Sequence, residues 1–339
     1  MCGAHIFTFS FMCKVLTKKR MNKKNTISTD DTLRIGTRTS PLAMRQTNMV
    51  ADALRLHHPE LNVEIVPIKS AADWKKQDGE KSLSEQAGGK GQFATEIEQA
   101  LLDGKIDCGV HSTKDMPSFL PDELQIKHFL PRYDARDAFV SKKYKNLEDL
   151  PQNAVLGTCS PRRQSIALSK RPDLKIVPFR GNIQTRLDKI ANEQVDATFL
   201  AIAGIGRLAI DSDMVSPISD EYMLPAAGQG AICIETKIDD VKTQEYLSKI
   251  NSVQTSLCVQ AEREVLRVLD GSCHTPIGAY AILKDDMLYL RGYVGSLDGK
   301  HNFQEAITQK CTSLEQAQIM GKSIGDKLKS MAPQEILIS

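Results

Sequence analysis

Leu33-Arg34-Ile35-Gly36-Thr37-Arg38-Thr39-Ser40-Pro41 passes from an apolar, strand-forming stretch through glycine into a serine–proline pair. The same order returns in Ala154-Val155-Leu156-Gly157-Thr158-Cys159-Ser160-Pro161. Behind each pair comes an amphipathic run, to Leu56 in one case and Lys170 in the other. Then follow a Pro-acid-Leu triplet (Pro59-Glu60-Leu61; Pro172-Asp173-Leu174) and a second apolar strand (Ile65-Val66-Pro67; Ile176-Val177-Pro178). Each copy continues through a glycine turn, Gly88-Gly89-Lys90-Gly91 or Arg180-Gly181-Asn182, into a second helix. The closing strands also correspond, Lys105–Val110 with Gln194–Phe199. Strand–helix–strand–helix–strand predicts a mostly parallel sheet with helices on its faces, and two copies predict two similar α/β domains.

The helices carry their own signals. Val50 and Leu54 fall four apart, as do Phe93, Ile97 and Leu101, so each set lines one helical face. Gly104 stands where a C-terminal cap belongs. Ser40-Pro41 and Ser160-Pro161 place a capping hydroxyl at N-cap and a proline at the first helical position, where no donor is needed. Both pairs come straight after a strand, at the end of the sheet where such folds build their binding crevice. A helix N-terminus there offers backbone N–H groups and partial positive charge to an anion. Six arginines map to the same rim: Arg38, Arg162, Arg163, Arg180, Arg186 and Arg207. The planar fork of arginine grips carboxylates bidentately, so the pattern points to a ligand bearing several carboxylates or phosphates.

The chain is long enough, at 339 residues, for two or three domains. Its formal net charge of +2 argues against a wholesale nucleic-acid or membrane-surface binder. No apolar run approaches the roughly 18–20 residues of a membrane span. The 8 cysteines contain no CxxC pair, which suits free thiols in a reducing, cytoplasmic compartment. Residues 1–30 stand apart, with basic residues from Lys14 to Lys24 and no acid before Asp30. An organelle-targeting leader and a start at Met21 both fit that stretch, and it is expected to be dispensable to the fold.

After about residue 250 the pattern changes. A helix over 256–269 leads to Asp270-Gly271-Ser272-Cys273, strands flank Lys284-Asp285-Asp286, and a last helix runs over 313–331, a small α+β domain. Two further spots can carry chemistry. His111-Ser112-Thr113-Lys114-Asp115-Met116-Pro117 lies at the crevice end of a strand, where Lys114 can face an anion and Asp115 a developing cation. His111 reads as a hydrogen-bonded structural histidine, and no partner sits near it at metal-ligand spacing, so no metal is expected. Cys273, in a glycine- and serine-flanked loop, is the better placed thiol for a nucleophile or an attachment point. Cys108 and Cys233, inside strand patterns, read as packing. A non-catalytic anion receptor would use the same two lobes.

These residues resemble the porphobilinogen deaminase (hydroxymethylbilane synthase) family. The likeness runs from Leu33 to the C-terminus. It rests on Arg38–Ala43, Gly88–Phe93, His111–Pro117, Arg136-Asp137-Ala138-Phe139, Gly157–Arg163, Arg180-Gly181-Asn182-Ile183-Gln184-Thr185-Arg186, Leu224–Gly230 and Gly271–Gly278. The resemblance implies two periplasmic-binding-like α/β domains and a third domain bearing the cofactor. The implied reaction joins four porphobilinogen molecules into linear hydroxymethylbilane with loss of ammonia. The implied primer is a covalent dipyrromethane on a thioether at Cys273. The roles implied are Asp115 as the catalytic carboxylate; Ser40, Lys114, Asp115, Thr158, Ser160, Arg162, Arg163, Gly181 and Arg186 toward the cofactor; and Arg38, Arg180, Arg186, Arg207 and Gln229 toward substrate. Lys90 and Phe93 would belong to an active-site loop. No nucleic acid or membrane partner is implied, and a monomer is expected. The domain boundaries expected are 31–131 with 228–249, 132–227, and 250–339. The sequence departs from the family's habit at Cys159 (often Ser), at Pro161 and Gln92 (often Leu), and at Ser70-Ala71-Ala72-Asp73, where Thr-x-Gly-Asp is usual. The last change touches the active-site loop and not the reacting groups.

Overall fold

The computed structural model describes residues 31–69, 94–269 and 275–338. Lys90, Phe93, Cys273 and the Ser70–Asp73 stretch lie outside the described residues. The first repeat forms β1 (Thr32–Arg38), α1 (Pro41–His57), β2 (Asn62–Ile68), α2 (Thr95–Leu102), β3 (Cys108–Ser112) and β4 (Leu124–Phe129). The second forms β5 (Asp137–Val140), β6 (Val155–Gly157), α3 (Pro161–Lys170), β7 (Lys175–Val177), α4 (Ile183–Ala191), β8 (Ala197–Ala201), α5 (Ile202–Arg207) and β9 (Val215–Pro217). The chain then returns through β10 (Ile232–Lys237) and α6 (Val241–Ser248) to the first sheet.

The two sheets are built alike, in the orders β2-β1-β3-β10-β4 and β7-β6-β8-β5-β9. In each, three parallel strands adjoin an antiparallel one, β10 beside β3 or β5 beside β8. Since β5 precedes its lobe and β10 follows the other, the chain crosses between lobes twice. The expected pair of α/β lobes is thus present, with strand exchange that alternation alone does not specify.

Local chemistry explains the repeat. Ser40 Oγ accepts from Ala43 N at 3.3 Å and Ser160 Oγ from Arg163 N at 3.4 Å, so both expected caps form. Gly104 has φ +68°, the left-handed conformation that ends α2. Each first strand is also held by an aspartate from its third strand's approach: Asp107 Oδ2 accepts from Arg34 N, and Asp196 Oδ2 from Val155 N, both at 2.7 Å. Those contacts hold residues 105–107 and 194–196 in turns, so β3 and β8 start later than the sequence pattern suggests. Gly36 and Gly157 are equivalent too. A Cβ on Gly36 would lie 2.3 Å from Ile106 Cδ1, and one on Gly157 2.7 Å from Phe179 Cγ. The inward face of α1 buries Val50, Ala51 and Leu54 against Leu33 and Ile35, each large side chain contributing roughly 1.5–3 kcal/mol.

The third unit comprises α7 (Val253–Leu269), the antiparallel sheet β11 (Ile277–Lys284), β12 (Met287–Gly295) and β13 (Asn302–Lys310), then α8 (Leu314–Met331) and α9 (Gln334–Ile338). Helix α7 starts earlier than the expected 256 because Ser252 Oγ accepts from Thr255 N at 3.3 Å and caps it. Asp285 and Asp286 both have positive φ, the two-residue turn that joins twisted antiparallel strands. Helices α7 and α8 cover one face of the sheet around Val265, Leu290 and Ile324. The fold is therefore mixed α/β, two such lobes and a smaller α+β unit, as expected.

Candidate active site

Between the lobes lies a cavity of about 620 Å³. Its walls are the N-termini of α1 and α3, the single turn Thr113–Asp115 that follows β3, the segment 180–186, the end of α5, and the crossover 228–231. Of the residues expected in the site, Arg38, Ser40, Lys114, Asp115, Arg163, Arg180, Gly181, Arg186 and Arg207 line it. Thr158, Ser160, Arg162 and Gln229 do not. Thr158 Oγ1 accepts from Ser160 N at 3.1 Å, and Ser160 Oγ is occupied by capping α3. Cys159, a departure from the family pattern, does line the cavity, and Phe179 N donates to its Sγ at 3.2 Å.

Arg162 and Arg163 share an anion that the sequence reading quoted without giving it a role. Asp137, at the start of β5 and fully buried, takes Arg163 Nη2 at 2.6 Å and Nε at 3.1 Å on Oδ1, while Arg162 Nη2 lies 2.8 Å from Oδ2. Arg162 Nη1 goes on to Leu224 O at 2.7 Å and Arg163 Nη1 to Phe199 O at 2.8 Å. Burial pushes the Asp137 carboxyl up, but the two guanidiniums outweigh it and hold it well below the usual carboxylate range. Burial in turn lowers Arg162. The signal available in the sequence was an acid opening the apolar strand Asp137-Ala138-Phe139-Val140, since a buried carboxylate needs cationic partners.

Gln229 is 1% exposed and serves as a spacer. Its Nε2 donates to Ala135 O at 2.7 Å and Asp137 Oδ1 at 3.1 Å, which turns Oε1 toward Lys114 Nζ at 3.4 Å. Lys114 belongs to the cavity wall, and burial pulls its ammonium down to about 8, against the opposing pull of Asp115 and Asp137 and with the help of Arg163 and Arg162. Arg207 is 8% exposed; its Nη2 donates to Gly230 O at 2.6 Å, but its buried Nε finds no hydrogen-bond partner among the described residues. Burial lowers Arg207 to about 10. A cation left this way in a cavity wall can receive a hydrogen-bonding anion. Arg186 Nε donates to Gly181 O at 2.9 Å and closes the loop ahead of α4, whose cap is Asn182. Gln46 and Ser112, neither of which the sequence gives a role of its own, join α1 to β3 on the cavity wall, Gln46 Nε2 donating to Ser112 Oγ at 2.8 Å.

His111 lies within β3 and meets Glu235 Oε2 at 3.0 Å, the structural role expected of it. Cys108 and Cys233 are buried and burial raises both thiols, Cys233 to about 12. Among the described residues no cluster of His, Cys, Asp and Glu could hold a metal ion.

Residues 33–245 match the family model described as "Porphobilinogen deaminase, dipyromethane cofactor binding domain", and residues 256–330 match "Porphobilinogen deaminase, C-terminal domain". A relative from Chlorobium phaeobacteroides (strain BS1), named "Porphobilinogen deaminase", is 42% identical over 304 residues, which is 89% of this chain and 96% of that protein. Among solved structures, a sulfate-bound variant of the OxyR2 regulatory domain from Vibrio vulnificus aligns with TM-score 0.41 and 16% identity over 68% of this chain and 97% of its own. The putative periplasmic sulfonate-binding protein SsuA from Methylobacillus flagellatus KT aligns with TM-score 0.38 and 15% identity, covering 69% of this chain and 68% of that one.

Proposed function

The chain belongs to the porphobilinogen deaminase family, and from that premise we propose how its own residues divide the work. The activity is that of a hydroxymethylbilane synthase, a transferase of tetrapyrrole biosynthesis that condenses porphobilinogen into a linear tetrapyrrole and uses a dipyrromethane cofactor. The observation that carries the assignment of roles is the cavity itself, where buried cations converge on a space with few carboxylates of its own.

The residues fit the cofactor's chemistry. A dipyrromethane made from porphobilinogen bears two acetates and two propionates, and an unpartnered guanidinium nitrogen on Arg207 suits such an anion. Lys114, Ser40, Arg163, Gly181 and Arg186 hold its carboxylates, while Arg162, Thr158 and Ser160 act from behind by fixing α3 and the charge of Arg163. Arg38, Arg180, Arg186 and Arg207 hold the substrate's acetate and propionate. Gln229 supports substrate handling through Lys114. When bound, the cofactor supplies the pyrrole carbon to which the first substrate ring is joined. Asp115, beside Lys114 at the cavity wall, faces the reacting rings, stabilises positive charge on a pyrrole nitrogen, and takes up the proton released as rings join. Cys273 anchors the cofactor as a thioether, and the family resemblance assigns Lys90 and Phe93 to an active-site loop; all three lie outside the described residues.

The units are best drawn as 31–131 with 228–249, 132–227, and 250–339, supported by the return of β10 to the first sheet. A monomer in the cytoplasm is the setting we favour, the monomer on the family resemblance and the compartment on the free thiols among the described cysteines. No helix among the described residues is long and apolar enough to cross a membrane. Intact mass tests the reading: the holoenzyme carries a dipyrromethane-sized addition that Cys273→Ser abolishes, and Asp115→Ala keeps the addition but stops porphobilinogen turnover. An unmodified active chain, or normal turnover in Asp115→Ala, overturns it.

A further inference from the structure

We infer that Glu262, on α7 of the third unit and outside the cavity, is a positioning residue for the Lys114–Asp115 turn. Glu262 is fully buried, and its carboxylate is shared among all three parts of the molecule. Arg132, in the first crossover between lobes, donates to it twice, Nη1 to Oε1 at 2.5 Å and Nη2 to Oε2 at 3.1 Å. Gly228 N, in the second crossover, donates to Oε2 at 2.7 Å. Ala281 N of β11 donates to Oε1 at 2.7 Å. One side chain therefore ties both crossovers to the third unit, with every donor satisfied.

Both crossovers continue to the turn. Arg132 Nε donates to Gln229 O at 2.9 Å, and Gln229 Oε1 receives Lys114 Nζ at 3.4 Å. Gly228 has φ +71°, and a Cβ there would meet Thr113 Cγ2 at 2.6 Å and Lys114 N at 3.3 Å, so this backbone packs directly against the turn. Three residues further on, Ala231 O accepts both Thr113 N and Thr113 Oγ1 at 3.1 Å. The turn's first residue and its lysine are thus both held by a loop whose place Glu262 and Arg132 set. Arg132 also lies over the Tyr280 ring at 4.9 Å, which fixes the guanidinium plane from the third unit's side. The arrangement means that the unit proposed to bear the cofactor sets, through one carboxylate, where Lys114 and Asp115 stand.

This inference rests on Lys114 and Asp115 acting at the reacting rings. The test uses holoenzyme of Glu262→Gln, which keeps the side chain's size but loses the ion pair, and of Arg132→Lys, which keeps charge but loses the fork and the bond to Gln229. Leu328→Ala, which opens the buried core of the third unit from α8, serves as the destabilised control. All are assayed well below their melting temperatures, with cofactor loading verified by intact mass. Glu262→Gln and Arg132→Lys are expected to lose kcat by about tenfold or more with KM within about twofold, because a small misplacement of reacting groups is felt in the chemical step. They should also move the alkaline limb of the kcat–pH profile down by about half to one unit, the equivalent of one hydrogen bond lost by Lys114. The control should lower Tm while leaving kcat and the limb unmoved. If both variants behave like the control, Glu262 is a staple between units and the inference is wrong. If Glu262→Gln yields no holoenzyme, Arg132→Lys decides alone. Normal turnover of Asp115→Ala would instead remove the reading beneath it, a separate outcome.

Discussion

Replacing Asp137 by asparagine keeps the shape of the side chain and removes its charge, at a place where nothing else can neutralise two arginines. Asp137 is fully buried, and Arg162 and Arg163 are 4% and 7% exposed. The wild-type carboxylate takes Arg163 at 2.6 and 3.1 Å, Arg162 at 2.8 Å and Gln229 Nε2 at 3.1 Å. Breaking a buried ion pair by removing one partner costs about 3–5 kcal/mol, since the surviving charge stays desolvated. Here two guanidiniums survive, so Asp137→Asn should sit at or above the top of that range, against a typical stability of about 5–15 kcal/mol. Differential scanning calorimetry reads this as a fall in Tm of roughly 10–20 °C or more, at about 2–4 °C per kcal/mol. The pH dependence has a definite sign. Asp137 is held below its unfolded value, so its contribution is complete above about pH 4 and is lost only as pH falls through the lower folded value. The gap between variant and wild type should therefore be constant from about pH 5 to 8 and close only in strong acid. Adding Arg162→Met to Asp137→Asn should recover part of the loss, since it removes one of the stranded charges. A Tm within about 2 °C of wild type at pH 7 would refute the reasoning.

Four other outcomes follow from the same geometry. Lys114 titrates at about 8, so kcat should fall as pH passes 8 and the cation that holds the cofactor is lost, whereas Lys114→Arg should hold kcat level to higher pH. Burial and the neighbouring Glu235 raise Glu98 to about 7 in the folded chain; stability from this group is complete below the unfolded value and lost as pH rises through 7, so Glu98→Gln should flatten the fall in Tm between pH 5 and 8. Arg207→Met should raise KM at least about tenfold with little change in Tm, because relief of a buried unpaired nitrogen offsets the lost bond to Gly230 O. Gly230 has φ +85° and a Cβ there would lie 2.5 Å from Tyr133 O, so Gly230→Ala should lower Tm measurably and slow turnover by shifting the crossover.

What the chain's sequence revealed and what it withheld divide by range of interaction. Both serine–proline caps, the left-handed Gly104, the strand–helix alternation and the Lys114–Asp115 turn follow from neighbours a few residues apart, and each was legible. Boundaries slipped where a distant group intervened: Asp107 and Asp196 are captured by β1 and β6, and β3 and β8 begin later in consequence. Arg162 looked like a ligand for the same reason that Arg163 did, as an arginine in the first turn of α3. Only the folded chain shows it turned from the cavity toward Leu224 O and Asp137.

By itself the sequence determined two α/β lobes, a third unit after residue 250, a cationic crevice and the chemistry of its rim, because helix caps, periodicity and residue type are local properties. Tertiary structure alone decided which cations face the cavity and which are spent on Asp137, that β10 completes the first sheet, and that Glu262 joins both crossovers. Those contacts link residues 25 to 130 positions apart. A buried charge selects its partner by position and desolvation in space, and no local pattern encodes that choice.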